Sequence, residues 1–399
     1  MKKSFLALAV AALAATSFAS TASATTVYDK DGTSLSIYGR VQSVYYSDKT
    51  GNAAGYGDDK EGTIQASGRL GFDLRSQINP YVAGFAKAEF EMANGDNAVD
   101  GTDGFDARYL WVGMDFGQFG QFKVGKFEEA IKYAISQTDI FDDWGCTGLS
   151  GNDDRREGVV QYQWSGYGVD VIASYAFAKN NEHLDGAYWA GNGDNAEIVD
   201  LEYSYSIALG YTSPDVLFGP IAVRAGYLGG EFDNSGLSTP NETHTGPASA
   251  NNSAIYAAYD SYDQFAVGLS WGSLNLGPYV AGVFQQRTFD MLPYAGSDVS
   301  ETKVTGYEFA LGYNFGNGLL VRAGYNHQKY EIESIGEAEG AVIPVYINYN
   351  FNPQVQVWAE ARFDAGSDDD ENGVNFYDYT NGCYNSDENV FSVGMRYNF

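Results

Sequence analysis

The sequence predicts an all-β protein, a transmembrane antiparallel β-barrel of about 16 strands, and three observations carry that expectation. Long segments alternate strictly between apolar and wet residues. The connections between them alternate between short and long. The chain ends on FSVGMRYNF, which puts Phe391, Val393, Met395, Tyr397 and Phe399 on one face of a final strand, and a barrel that closes in lipid must end on a lipid-facing strand.

Residues 1–24, MKKSFLALAVAALAATSFASTASA, begin with two lysines, run apolar from Phe5 to Ala15 and end Ala-Ser-Ala. This is the layout of a secretory signal peptide, so residues 25–399 are expected to form the exported barrel. No later stretch reaches the roughly 18 to 20 continuous apolar residues that a membrane helix needs. The expected strands lie near 33–47, 63–77, 80–92, 105–115, 119–126, 157–164, 168–178, 200–213, 219–231, 263–272, 274–287, 302–315, 318–330, 341–351, 354–364 and 389–399. The clearest is 64–74, where Ile64, Ala66, Gly68, Leu70, Phe72 and Leu74 alternate with Gln65, Ser67, Arg69, Gly71 and Asp73. The same phase sets Leu201, Tyr203, Tyr205, Ile207, Leu209 and Tyr211 against Glu202, Ser204 and Ser206; it recurs from Tyr307 to Phe315 and from Ile343 to Phe351. Asn79-Pro80, Ser213-Pro214-Asp215, Asn317-Gly318 and Asn352-Pro353 supply short turns, whereas 179–199, 232–262 and 365–388 are long, polar and acidic. Short turns on the periplasmic side and long loops outside are the habit of outer-membrane barrels. A soluble β-sandwich also alternates, but it would have to hide most of 31 Tyr and 24 Phe in one interior.

Charge narrows the function. Lys and Arg number 23 against 52 Asp and Glu, a net −29 that falls by two more when Lys2 and Lys3 leave with the signal. Nucleic acid is not an expected partner, since phosphate contact needs a basic face. A barrel of this width is too wide for its side chains to fill and leaves an aqueous channel unless something plugs it. Arg40, Arg69, Arg75, Lys87, Arg108, Arg224, Arg322 and Arg362 fall at inward positions, with Glu89, Glu91, Glu202, Glu308 and Glu360. At membrane depth such groups need water or counter-charge.

The third long connection, 127–154, differs from the others. Phe127, Ile131, Tyr133, Ile135, Ile140, Phe141 and Trp144 surround Glu128, Glu129, Asp139, Asp142 and Asp143, with a helix-like stretch from Glu128 to Ser136. So apolar a loop is expected to fold into the lumen and pack on its wall.

At this point the chain resembles the general diffusion porins of Gram-negative outer membranes. The resemblance rests on TTVYDKDGTSLSIYGR at the start, GRLGF at 68–72, FGQFKVGKF at 119–127, TDIFDDWG at 138–145 and the terminal Phe399, and it spans the mature chain. It implies a homotrimer of sixteen-stranded barrels in the outer membrane, embedded in lipid and lipopolysaccharide, passing ions and small hydrophilic solutes without a cofactor or catalysis. It implies that the third loop forms a constriction whose acids, Asp139, Asp142 and Asp143, face a basic ladder of Arg40, Arg69, Arg108 and Arg155, with Arg156 as the alternative to Arg155. Where that family has a Pro-Glu-Phe-Gly-Gly turn, this chain has Asp142, Asp143, Trp144, Gly145 and Cys146, and its three acids point to a preference for cations. Phe399 would be the insertion terminus.

Small residues on the outward faces of the early strands, namely Gly39, Ala66, Gly68, Gly84, Ala86, Ala88 and Gly113, mark them as the subunit seam. Cys146 and Cys383 either form a disulfide or remain two separate thiols. The acidic runs at Asp58, Asp59 and Glu61 and from Asp368 to Glu371 have no calcium-loop spacing and read as solvated surface. Among rival readings, a substrate-specific porin would show stacked lumenal aromatics, whereas Tyr346 and Trp358 are scattered. A barrel hydrolase would need an activating constellation around His183, His244 or His327, and none is evident. An adhesin would rest on the acidic loops alone.

Overall fold

The computed structural model describes residues 24–47, 62–93, 104–145, 148–151, 154–184, 186, 198–233, 259–291, 300–334, 336–369 and 389–399. The expected signal segment lies outside them but for Ala24, as do Cys146, Cys383 and the acidic runs up to Glu61 and beyond Asp369. Period-two alternation with β-branched and aromatic residues on the outer face produces the strands β1 (Thr25–Lys30), β2 (Thr33–Tyr46), β3 (Thr63–Asn79), β4 (Val82–Ala93), β5 (Gly104–Asp115), β6 (Gln121–Glu128), β7 (Arg155–Gly166), β8 (Val169–Ala176), β9 (Lys179–His183), β10 (Ile198–Val216), β11 (Gly219–Phe232), β12 (Tyr259–Gly272), β13 (Gly277–Met291), β14 (Glu301–Asn314), β15 (Leu319–Ile332), β16 (Gly336–Asn350), β17 (Val355–Asp369) and β18 (Val390–Asn398). Among the described residues, a short α-helix, α1 (Lys132–Ile135), and a single 3-10 turn at Gly117–Phe119 interrupt them.

All pairings are antiparallel, between strands that follow one another around the wall, and β18 returns to pair with β2, so a sixteen-stranded ring closes. Two strands stand outside that count. β1 folds back on the start of β2 through a turn at Asp31 and Gly32, both with positive φ. β9 carries the line of β8 onward along β10, so the stretch expected as loop from 179 begins as strand. Several other strands also rise further than expected, among them β13 to Met291 and β17 to Asp369.

The ring closes on a glycine. Gly39 N–H donates to Phe399 O at 2.9 Å and Phe399 N–H donates to Gly39 O at 3.0 Å. A Cβ on Gly39 would stand 2.6 Å from the Phe399 ring and 2.3 Å from Arg69 O, so the terminal ring covers the backbone where a side chain would sit. Gly39→Val is expected to cost at least about 1–3 kcal/mol by overpacking. The temperature at which the compact folded band converts to the unfolded band on gel electrophoresis should fall by several degrees; an unchanged midpoint would show that the seam does not depend on this contact.

Alternation carries the inside-outside assignment across most of the wall, and two of its register slips overturn expected faces. Between β4 and β5 the register slips at Glu89 and Phe90, leaving Arg108 as the extra residue. Arg108 therefore turns inward while Leu110, Val112 and Met114 face out. Gly113, expected on the outer face, lies inward beneath Phe85, whose ring would be 2.8 Å from an added Cβ. A second slip, between Leu201 and Tyr203, buries Leu201 inside and leaves Glu202 exposed, reversing their expected faces.

Candidate pore constriction

The described residues between Glu129 and Asp154 run along the wet face of the later wall, and the sequence of their contacts traces their course. At its start, Ser174 of β8 accepts from Ala130 N–H and Ser204 of β10 donates to Glu129. Tyr133 donates to Asp170 of β8, and the Arg224 guanidinium of β11 bonds Tyr133 O and Ser136 Oγ while stacking 4.2 Å over the Tyr133 ring. Gln137 donates to Ser270 of β12, Thr138 donates to Glu308 of β14 at 2.6 Å, and Arg322 of β15 donates to Ile140 O.

The tip docks on one carboxylate. Glu360 of β17, almost fully buried, accepts from the backbone N–H groups of Asp142, Asp143 and Trp144 at 3.0, 3.0 and 2.8 Å. Asp142 takes hydrogen bonds from Tyr346 of β16 and, at 2.7 Å, from Arg396 of β18. Burial alone would raise its carboxyl; the Arg396 charge and those hydrogen bonds outweigh it and hold the group below the usual carboxylate range. Asp143 accepts from Tyr46 of β2, Trp358 of β17 and Ser392 of β18. Burial, with the neighbouring Asp142 charge, nonetheless pushes it up. The segment then returns: Gly148 N–H donates to Glu308, Ser150 N–H to Gln285 of β13, and Asp154 pairs with Arg287 at 2.9 Å.

This course needs glycine on the wall. An added Cβ on Gly306 of β14 would lie 1.8 Å from Gly148 O. Gly210, Gly226, Gly268 and Gly324, inward on β10, β11, β12 and β15, similarly leave room for Tyr133, Ile131, Gln137 and Phe141. Wet-face glycines in successive strands were a signal, available in the sequence, for where a loop would lie.

The early wall carries the other charges. Arg69 pairs with Glu91 at 2.7 Å and with Glu89 at 3.5 Å; Arg108 donates to both, at 3.2 Å to Glu89; Arg40 lies 3.8 Å from Glu91. Tyr38 donates to Glu89 at 2.7 Å. Of the residues expected at the constriction, Arg40, Arg69 and Arg108 are thus brought together, by two acids of β4. Arg155 stands apart against Glu128 at 3.1 Å, with the Tyr109 ring beside it. Arg156 is buried among Tyr262, Ser204, Glu129 and Asp154. Asp139 pairs with Lys132 at 3.3 Å and keeps over a third of its side chain in the open, while Asp142 and Asp143 point into the wall. Sequence reasoning placed Glu89, Glu91 and Glu360 inside but missed their roles, because their partners are fixed by register rather than by spacing.

A closed antiparallel ring with a lipid-suited outer face and a charged, half-buried wet face is a membrane β-barrel of the porin class. A family profile for Gram-negative porins matches residues 7–369, and the chain belongs to that family. It is 26% identical over 416 residues to the outer membrane porin protein OmpD of Salmonella typhimurium, covering all of both chains. The structure of Salmonella typhi OmpF, in complex with daunomycin, superposes with a TM-score of 0.69 at 18% identity, over 94% of this chain and 100% of that one. OmpT of Vibrio cholerae, in vitro folded and in a trimer form, gives 0.61 at 18% identity over 92% of this chain and 100% of that one. The protein is a porin of the outer membrane.

Proposed function

We propose that this porin is a general diffusion channel, cation-preferring, in which the segment 129–154 narrows the lumen opposite the Arg40, Arg69 and Arg108 cluster. The observation that carries this reading is the accessibility of that cluster. The side chains of Arg40, Arg69, Arg108 and Glu91 keep 19–24% of their surface open at mid-strand, which is tolerable only beside water. Glu89 and Glu91 offset most of the basic charge, Asp139 is the accessible loop acid, and the excess of acids over bases in the whole chain biases the approach of cations. Asp142 and Asp143 then act mainly as anchors of the loop, and Asp142 as a fixed negative charge beside Arg396. A homotrimer in lipopolysaccharide-rich lipid fits the small outward faces of Gly68, Ala86 and Ala88, and the Vibrio cholerae neighbour has a trimer form.

Planar-bilayer conductance of the refolded mature protein under a salt gradient tests this. Large ohmic steps, grouped in threes, with a cation-selective reversal potential are the expected result. A folded barrel that passes no current would overturn the channel reading, and anion selectivity would overturn the charge assignment alone.

A further inference from the structure

The strands carry a second pattern towards their long-loop ends. In the lipid-facing band, Tyr227, Phe265 and Phe284 point outward on β11 to β13 and are substantially exposed there, and Tyr307 on β14 is half-buried. A few residues further up, the outward positions become Glu231, Asp263, Asp290, Lys303, Lys329 and Glu339, while the inward positions at the same height are Phe232, Tyr262, Phe289, Val304 and Tyr330, all nearly fully buried. The polarity of the wall has inverted. Apolar outside and wet inside is a barrel in lipid; polar outside and apolar inside is a barrel in water with a packed core. These strand ends have left the membrane, and what they enclose is a core.

That core is continuous and is filled from the centre. The Tyr262 and Phe289 rings stack with centroids 5.9 Å apart, and Phe232 and Tyr259 close on them at 5.3 and 4.9 Å. Ile131, Ile135 and Leu149 of the inner segment belong to the same cluster, and so does Leu184, fully buried just after β9. Two residues on, a Cβ at Gly186 would lie 3.2 Å from Val304 and 3.5 Å from Phe289 and Ser150, so Gly186 sits against β13, β14 and the returning loop. Beside it, Arg287 is wholly buried against Asp154 at 2.9 Å and Gln264; an ion pair so placed has no water column next to it. On the opposite arc, Arg40, Glu91 and, nearer the long-loop end of β5, Asp106 point inward and remain accessible.

We infer that this apolar core seals the outer mouth over the arc β10–β16, so that solutes enter along the opposite arc, over β3–β5, directly above the arginine cluster. The inference rests on the channel reading for what enters, but not for the seal itself. The test uses the full-length barrel with Cys146→Ser and Cys383→Ser, carrying Val304→Cys or Leu228→Cys at two buried inward positions, or Asp106→Cys on the open arc. A membrane-impermeant, charged thiol reagent is added from outside. Val304→Cys is nearly isosteric, and Leu228→Cys provides a second reading on a different strand. Asp106→Cys should be modified quickly, and the two core positions at least about 100-fold more slowly, as for sites reached only by local opening. Comparable rates at all three would overturn the seal. Conductance of the cysteine-free background is measured in parallel: no current there would overturn the channel reading, while the labelling contrast by itself decides the seal.

Discussion

Glu360→Ala is expected to convert a steady open level into rapid flicker among substates, with a higher mean conductance. The substitution removes the acceptor for three backbone N–H groups at the loop tip, those of Asp142, Asp143 and Trp144. Hydrogen bonds to a charged group contribute roughly 1.5–3 kcal/mol each, and leaving donors unsatisfied adds to the loss, so the tip should be loosened by about 3–5 kcal/mol once non-additivity is allowed for. The neighbouring contacts, Arg396 to Asp142 and Trp358 to Asp143, keep the loop tethered near the wall, so the outcome is motion and not loss of the fold. Glu360→Gln retains one acceptor oxygen but turns a donor group towards the remaining N–H groups, and should give an intermediate level of noise. Single-channel recording at fixed voltage makes the comparison, with thermal unfolding of the barrel as the control. A quiet, unchanged open level in Glu360→Ala would mean that the tip is held by its side-chain contacts and that the carboxylate is dispensable.

Much of this architecture is legible from the sequence, and the failures have physical causes. Period-two alternation identifies the barrel strands because lipid on one side and water on the other leave little choice of face. It places Glu89, Glu91, Glu308 and Glu360 inside, and it marks 127–154 as too apolar to stay in solvent. It cannot place Gly113 or Leu201, since a bulge inserts one residue and reverses every face beyond it. It ends several strands short, at 287 instead of Met291 and at 364 instead of Asp369, because above the membrane the polarity inverts and the strand ends read as polar loop. Phe232, Tyr262 and Phe289 sit in those margins. The anchoring of Asp142 and Asp143 is hidden for a different reason: Tyr46, Tyr346, Trp358 and Arg396 come from strands about a hundred to more than two hundred residues away in sequence, and only the register of the closed ring brings them together.

The same register sets the largest expected change in selectivity. Replacing Glu89 and Glu91 together by glutamine is expected to lower the cation-to-anion permeability ratio by roughly tenfold, since removing unit charges about 5 Å from the path changes ion energies by about 1–3 kcal/mol at effective dielectric constants between those of water and a protein surface. Arg40, Arg69 and Arg108 would then face the lumen with their two counter-ions gone, and Tyr38 would keep a neutral acceptor in place of its carboxylate. Salt concentration separates this electrostatic effect from a change in pore shape. Screening lengths are about 10 Å at 0.1 M and about 3 Å at 1 M, so the shift should be large in dilute salt and small in concentrated salt, whereas a reshaped constriction would alter conductance at both. The complementary triple change, Arg40→Gln, Arg69→Gln and Arg108→Gln, should move the ratio the other way with the same salt dependence. Reversal potentials that stay at the parent value in 0.1 M salt for both variants would assign selectivity to charges elsewhere, with Asp139 and the acidic outer loops as the remaining sources.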